Sequence, residues 1–288
     1  MTFKKVFPIL AVILGAVCGV LHGMDLVYGY DSVDLPTGAP WLAMLYAVAA
    51  VAAVLCVAVS FTYRKTSDRY QAFEAYLTGG GDLHKTAAVL CAALFVLFGL
   101  FGLYVTATNL MQLPMFERVT LIPMYLFAIA SGLTLIRLGG GAARGTVSEE
   151  NAALIFLPIA WAALDLVNTF KANGSEPMEG KFVFELLAAA TLLCALHAYA
   201  RMLFSTPRPR YLACLGGLGV VFGLAGGIGC AMDWLLGGTD DLLMIPRGGC
   251  YLACALWFAY QLSRMAACKD EPEGPELKKG KPVQNEEK

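Results

Sequence analysis

TAAVLCAALFVLFGLFGLYVTAT, residues 86–108, carries no charged side chain, and none occurs between Lys85 and Glu117. A helix of that length rises about 34 Å, enough to cross a hydrocarbon core of roughly 30 Å. Windows of the same kind recur near 6–27, 41–62, 119–138, 152–171, 182–204, 212–236 and 248–266. Backbone groups in lipid have no water to bond, so each such segment is expected to be helical. The expected fold is therefore all-α: a polytopic integral membrane protein of about eight transmembrane helices. Residues 1–266 form the bundle, and 267–288, which mix charge with Pro and Gly, form a disordered cytoplasmic tail.

Composition agrees with that reading. The chain is 58% hydrophobic and 15% charged, with a mean hydropathy of +0.64. A soluble domain carries about 25% charged residues, so this chain lacks the polar material to cover a water-facing surface. The net charge is −1, and no basic groove interleaved with aromatics is present, which argues against nucleic acid as a partner. The lipid bilayer is the one partner the composition demands.

The basic residues also choose sides. Lys4, Lys5, Arg64, Lys65, Arg69, Lys85, Arg137, Arg144, Arg201, Arg208, Arg210, Arg264 and the five tail lysines fall in alternate gaps; Arg118, Lys171, Lys181 and Arg247 fall in the others. Basic loops are retained in the cytoplasm during insertion, so both termini are expected inside a plasma membrane. Met1–Gly23 begins like a signal peptide but has no small-x-small cleavage site before Asp25, so it is expected to stay as the first span.

Outer loops (28–40, 109–118, 172–181, 237–247) are too short for a globular domain. Asn173-Gly174-Ser175 in one of them is a glycosylation sequon, relevant only in a eukaryotic host. Inside, only 63–85 is long; Ser67 can cap a short amphipathic turn carrying Tyr70, Phe73, Tyr76 and Leu77, read as an interfacial connector. Thr146-x-x-Glu149 has the form of a capping box, and Pro158 is expected to kink the fifth span.

A repeat emerges when the outward ends of the spans are aligned. Met24-Asp25-Leu26-Val27, Leu164-Asp165-Leu166-Val167 and Met232-Asp233-Trp234-Leu235 each end a span, with a returning helix that closes on Arg64, Arg201 or Arg264. Val105-Thr106 or Thr108-Asn109 takes the aspartate's place in the remaining pair. The pattern suggests four similarly oriented helical hairpins. Gly15, Gly19 and Gly23, and likewise Gly219, Gly223 and Gly227, put flat strips on the first and seventh spans, which suit close helix packing within the chain or between subunits.

Ionisable groups within membranes face cavities or one another. Asp25, Asp165, Glu185 and Asp233 all lie toward the outer face, Asp165 the deepest, with Glu185 entering the next span at a comparable level. An acid near a helix C-terminus opposes the local dipole, so Asp25, Asp165 and Asp233 are locally unfavourable choices. These four, with His22 one turn before Asp25, are the candidate substrate- or ion-binding residues of an outward-opening vestibule for a cation, protonated amine or proton. The plainer role for Asp25 and Asp233 is to accept hydrogen bonds from the outer loops. No His/Cys set completes a metal site around His22 and Asp25. The nine cysteines avoid the outer loops and are expected to pack, including Cys230, Cys250 and Cys254.

No Walker A segment, His-Glu-x-x-His, Gly-x-Ser-x-Gly or Cys-x-x-Cys occurs, which narrows the field: no cofactor is expected, and a membrane enzyme is the third reading, with His22–Asp25 as its one acid–base candidate. The function that these residues favour is a small-solute or ion transporter. The competing reading is a non-catalytic membrane subunit or scaffold, pairing with a second copy or a partner subunit through the glycine strips.

Overall fold

The computed structural model describes residues 3–30, 37–63, 76–78, 81–145, 147–173, 182–204, 208–238 and 241–267. The charged tail beyond Ala267, the sequon at Gly174-Ser175 and the turn at Ser67, Tyr70 and Phe73 lie outside them. The helices are α1 (Phe3–Tyr28), α2 (Trp41–Ser60), α3 (Gly81–Thr108), α4 (Met115–Arg144), the short α5 (Glu149–Ala153), α6 (Phe156–Asn173), α7 (Val183–Leu203), α8 (Pro209–Leu235) and α9 (Met244–Ala267). Among the described residues there is no β-strand.

Among the described residues, seven segments are long and apolar enough to cross a membrane, α5 and α6 counting together as Glu150–Ala172. The eighth long helix, α9, has the length at 24 residues but not the apolarity, because Arg247, Gln261 and Arg264 interrupt it. Two of them do not face lipid: Gln261 is fully buried, and only 11% of the Arg247 side chain is exposed. Lipid-facing surfaces look quite different. On α1, Ile9, Ile13, Val17 and Val20 fall on one exposed stripe, an arrangement that water would penalise and hydrocarbon accepts.

Each consecutive pair α1/α2, α3/α4, α6/α7 and α8/α9 packs as neighbours. Beyond the pairs, α4 touches α6, α7 touches α8, and α9 touches α3, so α3, α4, α6, α7, α8 and α9 close into a ring. The α1/α2 pair lies mainly against α8, and α1 also touches α9.

The glycine strips explain why α8 can accept so many neighbours. A Cβ at Gly19 would stand 2.6 Å from Ile228 Cβ, and one at Gly23 would stand 2.6 Å from Met232 Cβ. Gly15 likewise faces Leu224 and Val221. On α8 itself, Gly219 and Gly223 face Ala195 and Leu192 of α7, Gly223 also meets Ala255 of α9, and Gly227 lies under Leu252 and the Gly248 carbonyl. Association in lipid depends on this close van der Waals approach, since burying apolar surface gains little there. Both strips are filled within the chain.

Two local expectations are corrected. The N-cap of α5 is Ser148, whose side chain accepts from the Asn151 N–H, so the cap sits two residues after Thr146, which lies outside the described residues. Pro158 does not kink a continuous helix. The chain breaks at Leu154–Ile155, and α6 begins at Phe156. Leu154 is the residue whose carbonyl the Pro158 ring would strike, so the break falls there and the proline lies in a first turn, where its missing N–H costs nothing.

Candidate functional site

The polar centre of the ring lies toward the end where α6 joins α7 and α8 joins α9. Asp165 comes from α6, Glu185 from the first turn of α7, and Arg247 from the first turn of α9. Arg247 Nε is 3.4 Å from Asp165 Oδ1, and Arg247 Nη1 is 3.5 Å from Glu185 Oε2. The Tyr251 hydroxyl, one helical turn beyond Arg247, donates to Asp165 Oδ2 at 2.6 Å. Asp165 and Glu185 are 1% and 0% exposed. The sequence suggested an open vestibule; here the carboxylates are closed over.

The triad is unevenly held. Charge-assisted pairs usually close to about 2.7–2.9 Å, often with both guanidinium nitrogens on one carboxylate. Here the guanidinium is split between two acids at longer range. Asp165 has the tight tyrosine bond, whereas neither Glu185 oxygen has a hydrogen-bond partner. With both acids ionised, two negative charges surround one positive in a space closed off from the surface, where charge is costly unless fully paired.

Neighbouring helices fix the frame. On α4, Thr120 Oγ1 donates to Asn168 Oδ1 at 2.5 Å, and Asn168 Nδ2 reaches Met124 Sδ at 3.4 Å, pinning α6 one turn from Asp165. Tyr125 of α4 lies across Gly102 of α3, which has no side chain to displace it. Its hydroxyl is buried, has no hydrogen-bond partner, and lies within electrostatic reach of Arg247 and Asp165. Beneath the charges the wall turns aromatic, with Trp161 6.5 Å from Tyr251 and 5.0 Å from Phe95, ring centre to ring centre.

The other residues singled out from sequence are placed differently. Asp233, near the end of α8, is buried and within electrostatic reach of Glu185 but does not join the ion triad. Gly238 donates its N–H to the Asp233 carbonyl, and Gly29 does the same to Asp25, so each aspartate sits beneath the loop that follows it. Asp25 lies on α1, outside the ring. His22 does not pair with it: both ring nitrogens lack a hydrogen-bond partner, and the ring packs against Phe184 at 5.4 Å and over Gly229. Cys230, Cys250 and Cys254 are free and buried. No group of three or more His, Cys, Asp or Glu among the described residues is placed to hold a metal ion.

Arg247 is the member of this charge cluster that sequence reading missed. A boundary at 248 put it in the outer loop, among residues that merely obey the sidedness of basic charge. Its four-residue spacing to Tyr251 and the surplus of acids at that end were the available signals.

Fold and site together define a multi-pass helical membrane protein with a buried, acid-rich charge triad inside a six-helix ring. No family model matches the chain, and neither the curated proteins nor the solved structures contain a match.

Proposed function

We propose that the protein is a small-solute or ion transporter whose coupling site is the Asp165–Glu185–Arg247 triad, taking a proton or small cation. The observation that carries this reading is Glu185: fully buried, with no hydrogen bond to either oxygen and only a 3.5 Å contact to a shared guanidinium. A carboxylate in that state is stabilised by whatever supplies the missing positive charge. Because Arg247 grips neither acid with both nitrogens, it can shift toward one when the other takes up its ligand. The triad also draws on three different helices, so binding there acts on how the hairpins sit against each other. The scaffold reading gains no support from the glycine strips, since neither is left for a second copy or a partner subunit.

Thermal unfolding against a panel of cations and protonated amines tests the proposal. One species is expected to raise the melting temperature selectively, because a ligand that binds only the folded state at about 100 times its dissociation constant adds roughly 2.7 kcal/mol. Glu185→Gln and Asp165→Asn are expected to remain folded, lose that shift, and abolish uptake of the same species into proteoliposomes. A flat panel from well-folded protein, with no uptake, would favour the subunit reading instead.

A further inference from the structure

A second polar cluster lies within the ring near its opposite end, 10 to 14 residues and hence about 15–21 Å further along α9 than Arg247. Its core is Trp257, Tyr260 and Gln261, at spacings that place them on adjoining faces of one helix. His84, from the first turn of α3, stands edge-on to Trp257 at 5.8 Å and to Tyr260 at 5.1 Å, and Tyr199 of α7 closes the far side of Trp257 at 6.2 Å. Gly139 of α4 leaves room for the His84 ring, with 3.7 Å from its absent Cβ to His84 Cδ2. Four helices thus enclose the cluster.

Its hydrogen-bonding capacity is unspent. Gln261 is 0% exposed, and neither its amide nitrogen nor its amide oxygen has a partner. Trp257 is 1% exposed and its Nε1–H is also unpartnered, as is the buried Tyr260 hydroxyl. An unmet buried donor or acceptor costs about 1–3 kcal/mol, so several in one place point to a ligand that meets them. The available groups offer four donor hydrogens, from one indole N–H, two amide N–H bonds and one hydroxyl, beside two acceptor oxygens, those of the Gln261 amide and the Tyr260 hydroxyl. Arg264, held by a 3.0 Å bond from Nη2 to the Thr78 carbonyl, lies close enough to the Tyr260 hydroxyl to act on it. Lys4, Arg201 and Arg210 belong to the same end, where Asp82 and Glu150 are exposed rather than turned into the ring.

We propose that Trp257, Tyr260 and Gln261 form a binding site for a small monovalent anion at the end of the ring opposite the triad. Neutral N–H and O–H donors suit such an ion: they replace its hydration shell without fixing it as tightly as a direct lysine or arginine pair would. Arg264 biases the site toward negative charge from one turn away. The site stands independently of the cation reading, because no residue is shared between them.

Chloride and bromide, each exchanged against gluconate at constant potassium, are the probes. In purified full-length protein, either halide is expected to raise the melting temperature saturably. The rise should persist in Asp165→Asn, disappear in Gln261→Leu, and need about tenfold more halide in Trp257→Phe, which keeps an aromatic ring but loses the N–H donor. If Gln261→Leu fails to fold, Trp257→Phe decides the matter. A wild-type curve that is flat would mean that the cluster holds water only, and a rise undiminished in the variants would mean a general salt effect. Either result overturns the proposal.

Discussion

Arg247→Leu is expected to destabilise the protein by about 3–5 kcal/mol, the usual cost of breaking a buried ion pair from one side. The loss comes less from missing attraction than from what remains: Asp165 and Glu185, 1% and 0% exposed, facing each other with no positive charge between them. The compensating variants separate this from a simple packing defect. Asp165→Asn with Glu185→Gln removes the stranded charge, so the triple variant with Arg247→Leu should recover most of the lost stability. Neutral replacement of an entire buried charge set is often tolerated or stabilising. Arg247→Lys should fall between, since a single ammonium cannot span both the 3.4 Å and 3.5 Å contacts from one planar group as a guanidinium does. Thermal unfolding in detergent measures all three variants against wild type. A melting temperature for Arg247→Leu close to wild type, or a triple variant no better than the single, would show that the triad does not hold a shared charge.

The sequence made the architecture readable because membrane insertion imposes rules that act on every residue. The uncharged run at 86–108 and its counterparts yield spans that match α1–α4 and α6–α9 to within a few residues at most ends. Asp165 and Glu185 could be singled out because an acid inside an apolar window is conspicuous. Their partner could not, since Arg247 sits where a span begins, and basic residues at span ends are ordinary. Its role depends on which helix lies opposite, and that is decided by packing, through glycines such as Gly227 and Gly248 that let α8 and α9 meet closely. His84 is hidden for the same reason. It falls inside the 63–85 stretch that hydropathy reads as an inner loop, yet α3 starts at Gly81 and turns the ring inward against Trp257 and Tyr260. Cross-helix contacts leave no mark on local hydropathy.

Packing of that kind has a test in which two like substitutions should move stability in opposite directions. Replacing glycine with alanine inside a helix ordinarily stabilises it by up to about 1 kcal/mol, through the smaller backbone freedom lost on folding. Gly140, in α4, meets nothing within 4 Å of an added Cβ, so Gly140→Ala is expected to show that gain. Gly19, in α1, has Ile228 Cβ at 2.6 Å, Ile228 Cγ2 at 3.0 Å and the Leu224 carbonyl oxygen at 3.0 Å. None of these is the free end of a flexible side chain, so relief requires α1 and α8 to separate. Gly19→Ala is therefore expected to lose about 1–3 kcal/mol despite its better propensity, and Gly19→Leu to lose more. Because α1 meets α8 along three glycines, separation at Gly19 also loosens the contacts at Gly15 and Gly23. Thermal unfolding of the two alanine variants side by side, in one detergent, provides the comparison. A shift in the same direction for both would mean that the α1–α8 seam is not the close contact that places the first hairpin against the ring.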